Sequence, residues 1–98
     1  MNLVILSGRL GHDPEEIMNG VKFSLALKDS GEVTTWVRVI VFEKQAELCK
    51  QFLLKGSEVL VNGRLSFLKD PMTGQLKTSV IAHRVEFMGS KPHPESDA

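Results

Sequence analysis

At 98 residues, with 12 basic and 12 acidic side chains, the chain is long enough for one domain and too short for two. Apolar content of 42% and charged content of 24% are globular values, and zero formal charge excludes a strongly cationic nucleic-acid protein, so any such binding must use local charge. A single cysteine, Cys49, excludes an intramolecular disulfide and a multi-cysteine zinc site.

Residues 2–11 alternate Val4, Leu6, Gly8 and Leu10 against Leu3, Ile5, Ser7 and Arg9. Both faces begin apolar, which suits a strand covered on both sides or one used in self-association. This opening has no basic leader and its apolar run is too short for a signal peptide or a membrane span, so a cytoplasmic, soluble protein is expected. Gly8 and Gly11 suggest a bend or a close backbone approach. Asp13-Pro14-Glu15 signals a turn and Asn19-Gly20 a hairpin, with room for a brief strand over residues 15–18.

Residues 21–28 form a clean alternation, with Val21, Phe23, Leu25 and Leu27 on one face and Lys22, Ser24, Ala26 and Lys28 on the other. The second face is basic and built of small residues, making Lys22 and Lys28 candidate contacts for a phosphate backbone. A short turn at residues 29–32 leads into the most distinctive stretch, residues 34–42, which is strongly β-branched. Val37, Val39 and Val41 share one face of that strand; Trp36, Arg38, Ile40 and Phe42 share the other. Taken alone, this is either a nucleobase-stacking platform with a cation in it or a strand buried on both faces.

The period changes at residues 43–54. Ala46, Cys49 and Leu53 fall on one helical stripe widened by Leu48 and Phe52, Glu43 and Lys55 suit the helix dipole, and Gly56 is a natural C-cap. Cys49 within that stripe is expected to be a buried, inert thiol. Residues 57–67 return to strand with Val59, Val61, Leu65 and Phe67 on one face and Gly63 as another bend. Residues 70–74 form a loop, and residues 75–88 supply a last strand with Val80, Ile81, Val85 and Phe87 as core. The polar, proline-bearing tail over residues 90–98 is expected to be disordered.

Five strands with one helix between the third and fourth predict an all-β OB-fold, a five-stranded Greek-key barrel over residues 1–89 whose second and third strands bind oligonucleotides. In that scheme the Trp36 face occupies the ligand side, which favours the platform reading. His12, His83 and His93 have no metal-ligand spacing, no phosphate-cradling glycine motif is present, and no nucleophile has an evident base nearby. Neither a metal, a cofactor nor catalysis is expected.

The same residues resemble the bacterial single-stranded DNA-binding protein family over roughly residues 1–89. The carriers are residues 1–15, the Asn19-Gly20 turn, Phe23-Ser24-Leu25-Ala26, Thr34-Thr35-Trp36-Val37-Arg38-Val39 with Phe42, Leu54-Lys55-Gly56-Ser57, and residues 59–65. The resemblance implies sequence-tolerant binding of single-stranded DNA in replication, recombination and repair. It also implies homo-oligomers, commonly tetramers, that pair their first strands, and contacts to replication or repair proteins. By position it makes Trp36 and Phe42 base-stacking residues with Arg38 among them, and puts Arg64 and Lys69 on or near the DNA path.

Four departures stand out. The link between the second and third strands is short, Asp70 stands where the family often has a tryptophan, and Val37 stands where it often has a histidine. The tail lacks the family's long linker and acidic tip. The missing aromatics and the absent acidic tip favour a second reading, an accessory OB-fold protein of primosome or organellar type acting mainly through protein contacts, whereas residues 34–42 favour direct DNA binding.

Overall fold

The computed structural model describes residues 1–28 and 33–88, with Lys28 described by its backbone alone. The expected turn at residues 29–32 and the expected disordered tail lie outside the described residues. The elements in order are β1 (Val4–Leu10), β2 (Glu15–Ile17), β3 (Gly20–Lys28), β4 (Thr34–Phe42), α1 (Glu43–Phe52), β5 (Glu58–Lys69) and β6 (Leu76–Phe87).

The strands close on themselves. β1 pairs with β5, β5 with β6, β6 with β4, β4 with β3, and β3 returns to β1 through Arg9↔Ala26 and Leu10↔Leu25. All these pairs are antiparallel except β4–β6. This is the OB-fold that the element order predicts: a closed five-strand ring with its helix between β4 and β5. The three-residue β2 flanks the ring on β3. The loop joining β2 to β3 is Met18–Asn19, with Asn19 at φ 65° and Gly20 already in β3, one residue earlier than the Asn-Gly pair suggests.

Alternation along each strand decides what the ring encloses. Val21, Phe23 and Leu25 of β3, Val39 and Val41 of β4, Val59 and Val61 of β5, and Val80 and Val85 of β6 form one buried cluster. Ala46, Cys49 and Leu53 of the helical stripe close it from one end. Each such large apolar side chain contributes roughly 1.5–3 kcal/mol when removed from water. The side-chain amide of Gln45 ties the helix to β6, donating to the His83 carbonyl at 3.4 Å while Oε1 accepts the Val85 N–H at 2.9 Å. His83 is the extra residue in the register shift between Asn62↔Arg84 and Gly63↔Ala82.

Four expectations about the interior are corrected. Leu48 and Phe52 widen the helical stripe too far and lie exposed, because the ring's end admits only the narrow Ala46–Cys49–Leu53 edge. Phe87, expected in the core, is 43% exposed and meets Phe52 at a ring separation of 6.1 Å. Leu65 and Phe67 are exposed because β5 and β6 run past the ring as a two-stranded arm, where their face has nothing above it. Gly56 does not cap the helix; Leu53 does, in extended conformation, and Gly56 at φ 90° shapes the turn that follows.

Candidate nucleic-acid interface

The outer face of the barrel is assembled by register. Reading across β3 and β4, Gly20 lies opposite Phe42, Lys22 opposite Ile40, Ser24 opposite Arg38 and Ala26 opposite Trp36. Directly paired residues share a face, so every large side chain of β4 on this side stands beside a small or flexible one of β3. The row through Ile40 continues onto Ile81 of β6, and from there onto Arg64 of β5. Four strands thus contribute one line, Lys22, Ile40, Ile81 and Arg64, with two buried isoleucines between two cations. Sequence reasoning found the cations; the buried pair joining them depends on pairings between strands far apart in the chain.

The two aromatics of β4 are open to solvent, Trp36 by 59% and Phe42 by 40%. Each rests on a glycine. A methyl group on Gly11 would overlap the six-membered ring of Trp36, and one on Gly20 would come within 3.0 Å of Phe42 Cδ1. The rings therefore lie down on bare backbone, with their outer surfaces uncovered. Six residues of strand separate Trp36 from Phe42 by about 20 Å, so the two could engage bases several nucleotides apart.

Charge on this face is mainly positive, with Glu15 of β2 as its acidic member. Among the described residues Arg38 and Arg64 form no ion pair, and Lys22 is bridged only loosely to Glu15, at 3.7 Å. Lys69 is the exception in placement. It pairs with Leu76 at the end of the arm, on the side that carries Leu65 and Phe67, away from the Arg64 row. Lys28 continues the β3 face in backbone register with Thr34; its side chain lies outside the described residues.

Asp70 is not a bare anion. Its Oδ1 accepts the Met72 N–H at 2.8 Å and its Oδ2 lies 3.2 Å from Lys77 Nζ. The Met72 N–H and then Lys77 hold its carboxyl below the usual range. Its charge is spent on folding the arm's loop, where Gly74 at φ 76° completes the turn. Sequence reasoning missed Phe67, exposed by 64% on the arm; its regular alternation with Val59 and Val61 reads as core.

A closed OB barrel with two solvated aromatics and unpaired arginines on one outer face belongs to the class of oligonucleotide-binding barrels. The comparisons agree. The single-strand binding protein family matches residues 1–88. A single-stranded DNA-binding protein 1 of Chlorobaculum tepidum is 37% identical, the match covering 93% of this chain and 67% of that protein. Single-stranded DNA-binding proteins of Xanthomonas campestris pv. campestris and Thermotoga maritima are 35% and 34% identical over 93% of the chain, with 62% and 76% of their own lengths covered. The chain thus spans about three-fifths to three-quarters of the length of these relatives. It belongs to the single-strand binding protein family, whose members bind DNA and are not enzymes. These matches do not favour the accessory-protein reading.

Proposed function

We propose that this chain binds single-stranded DNA without regard to sequence, using the outer face of β3, β4, β6 and β5. In this reading Trp36 and Phe42 stack bases, Arg38, Arg64, Lys22 and Lys28 meet phosphates, and Lys69 meets a strand that continues along the arm. The observation that carries it is the solvated Trp36–Phe42 face with Arg38 between the rings and, among the described residues, no carboxylate paired to that arginine. Stacking is sequence-tolerant because every base has a π-face, and it contributes about 1–3 kcal/mol per base. Two platforms in one subunit give affinity in the micromolar range at best, since about 8 kcal/mol corresponds to micromolar binding.

Several subunits sharing one strand would raise that affinity through effective concentration. Support for self-association comes from β1, which pairs with β5 from Val4 to Arg9 but with β3 only at Arg9 and Leu10. Among the described residues its other edge is unpaired along most of its length, and Leu3 and Ile5 are exposed. An antiparallel pairing of two first strands would satisfy both features. A dimer or tetramer serving replication, recombination or repair in the cytoplasm, at the nucleoid and beside other repair proteins, is the role this reading implies. No helix among the described residues is long and apolar enough to cross a membrane.

The test is a titration of Trp36 fluorescence with oligo(dT) and oligo(rU), paired with native mass measurement. Quenching by oligo(dT) and a roughly 5- to 150-fold loss of affinity in Trp36→Ala are expected. Unchanged affinity in that variant would sink the assignment.

A further inference from the structure

We propose that the small polar pocket bounded by His12, Lys22, Ser24 and Arg38 seats one phosphate of the bound strand, and that His12 is a proton-dependent contact to it. The inference rests on the strand-binding reading above and adds to it a residue that the aromatic-cationic pattern does not single out.

His12 is held at both ring nitrogens. Nδ1 lies 2.7 Å from the Asp13 carbonyl, and Nε2 lies 3.2 Å from the backbone nitrogen of Ser24. A carbonyl only accepts and an amide N–H only donates, so the proton sits on Nδ1 and Nε2 is bare. The imidazole is therefore neutral in this arrangement, and it has a structural task. The β1–β3 ladder stops at Leu10↔Leu25, with Gly11 N–H still reaching the Ser24 carbonyl at 2.9 Å, and β2 takes over only at Glu15↔Lys22. Between these pairings the Ser24 N–H receives its partner from His12.

The pocket beside this ring has a volume of about 210 Å³. Lys22 faces it from β3, Arg38 from β4 and Glu15 from β2, with Glu15 paired to Lys22. Asp13, next in the chain, is occupied elsewhere: its Oδ1 accepts the Lys55 N–H at 2.8 Å. Ser24 and Arg38 are a direct cross-strand pair, one step along the strands from Ala26 and Trp36. A phosphate seated here lies between the two stacking platforms and meets two cations.

A second proton on Nε2 abolishes the bond from Ser24 and sets N–H against N–H. The ring then gains a donor and a positive charge beside the pocket, and a phosphate oxygen is the acceptor that satisfies both. One proton is taken up; no bond in the strand is made or broken. The bound strand and the proton therefore favour one another.

The experiment titrates the whole chain with oligo(dT) through Trp36 fluorescence, at neutral pH and at a pH acid enough for imidazolium, over a series of salt concentrations. Wild type, His12→Gln, Glu15→Gln and Arg38→Gln are compared. On acidification wild type should gain about fivefold or more in affinity, and its log K against log salt should steepen by about 0.7, the signature of one further phosphate contact on a single strand. The carboxamide oxygen of His12→Gln still accepts from Ser24, so that variant should keep its fold but lose the acid gain. Glu15→Gln should keep the gain, which separates its carboxyl from the imidazole, and Arg38→Gln should shrink it. Inorganic phosphate as competitor, at matched ionic strength, should leave the acid gain intact for a seat filled only along a strand; loss of the gain to free phosphate would overturn the strand seat in favour of a free-anion site. In wild type the imidazole nitrogen NMR shifts should move on adding oligo(dT) in acid, a readout that needs no variant. An equal acid gain in His12→Gln, or nitrogen shifts that ignore oligo(dT), would overturn the proposal while leaving strand binding intact. Absence of quenching at every pH would instead remove the reading beneath it.

Discussion

The indole of Trp36 rests on the backbone of Gly11, so closely that a Cβ at Gly11 would enter its six-membered ring. Gly11 follows β1, and Trp36 lies on β4 opposite Ala26. The contact spans the seam where β1 meets β3, and it sets the plane of the platform. Gly11 has no positive φ, and the three atoms nearest to a Cβ placed there all belong to the indole. Gly11→Ala should tilt or displace the ring without unfolding the barrel. The expected outcome is a shifted Trp36 emission maximum and oligo(dT) affinity weakened by about 1 kcal/mol, roughly fivefold, with an unchanged circular dichroism spectrum.

The arginines of the outer face should register as counterions released. Arg38→Gln and Arg64→Gln are each expected to reduce the slope of log K against log salt by about 0.7. Arg84→Gln, already paired to Glu86 at 3.3 Å, should alter it less. Slopes unchanged from wild type in both Arg38→Gln and Arg64→Gln would mean that this face is not on the strand's path.

Two phenylalanines with similar strand patterns should behave oppositely. Phe23 is fully buried, so Phe23→Ala should cost about 3–5 kcal/mol in urea unfolding. Phe67 stands on the open arm, and Phe67→Ser should change stability by less than about 1 kcal/mol. A large loss at Phe67 would mean that the arm's face is covered, and that outcome would be checked against subunit mass.

Cys49 gives an alkaline prediction. It is free and buried, and burial pushes its thiol up from 9.0 to about 11. The folded state therefore favours the neutral thiol more than the unfolded chain does. The resulting stabilisation is complete below pH 9 and is lost as pH rises towards 11, a change of roughly 2 kcal/mol. Urea midpoints measured across that range should fall more steeply for the wild type than for Cys49→Ala. Thiol reagents should label the native protein only on the timescale of opening.

How far the chain could be read in advance follows from the range of the forces involved. Alternation is a local property, so the spans of β3 and β4, and the paired faces of each, were legible from side-chain order alone. The helix was equally legible from its change of period, and its innermost stripe of Ala46, Cys49 and Leu53 was correct. Phe67, Phe52 and Phe87 were misread for one reason. Local pattern says which residues share a face, but only the closed ring says where cover for that face ends.

The Trp36–Arg38–Phe42 face, the order of elements and the closed barrel they imply were therefore determined by sequence alone. Tertiary structure decided the rest. It set each aromatic on a glycine, carried the cation row from Lys22 through Ile40 and Ile81 to Arg64, and turned Asp70 inward to Met72 and Lys77. It also gave His12 its place in the gap between β1 and β2. Each of these depends on register between segments distant in the chain, which the packing of the whole barrel fixes and no local preference encodes.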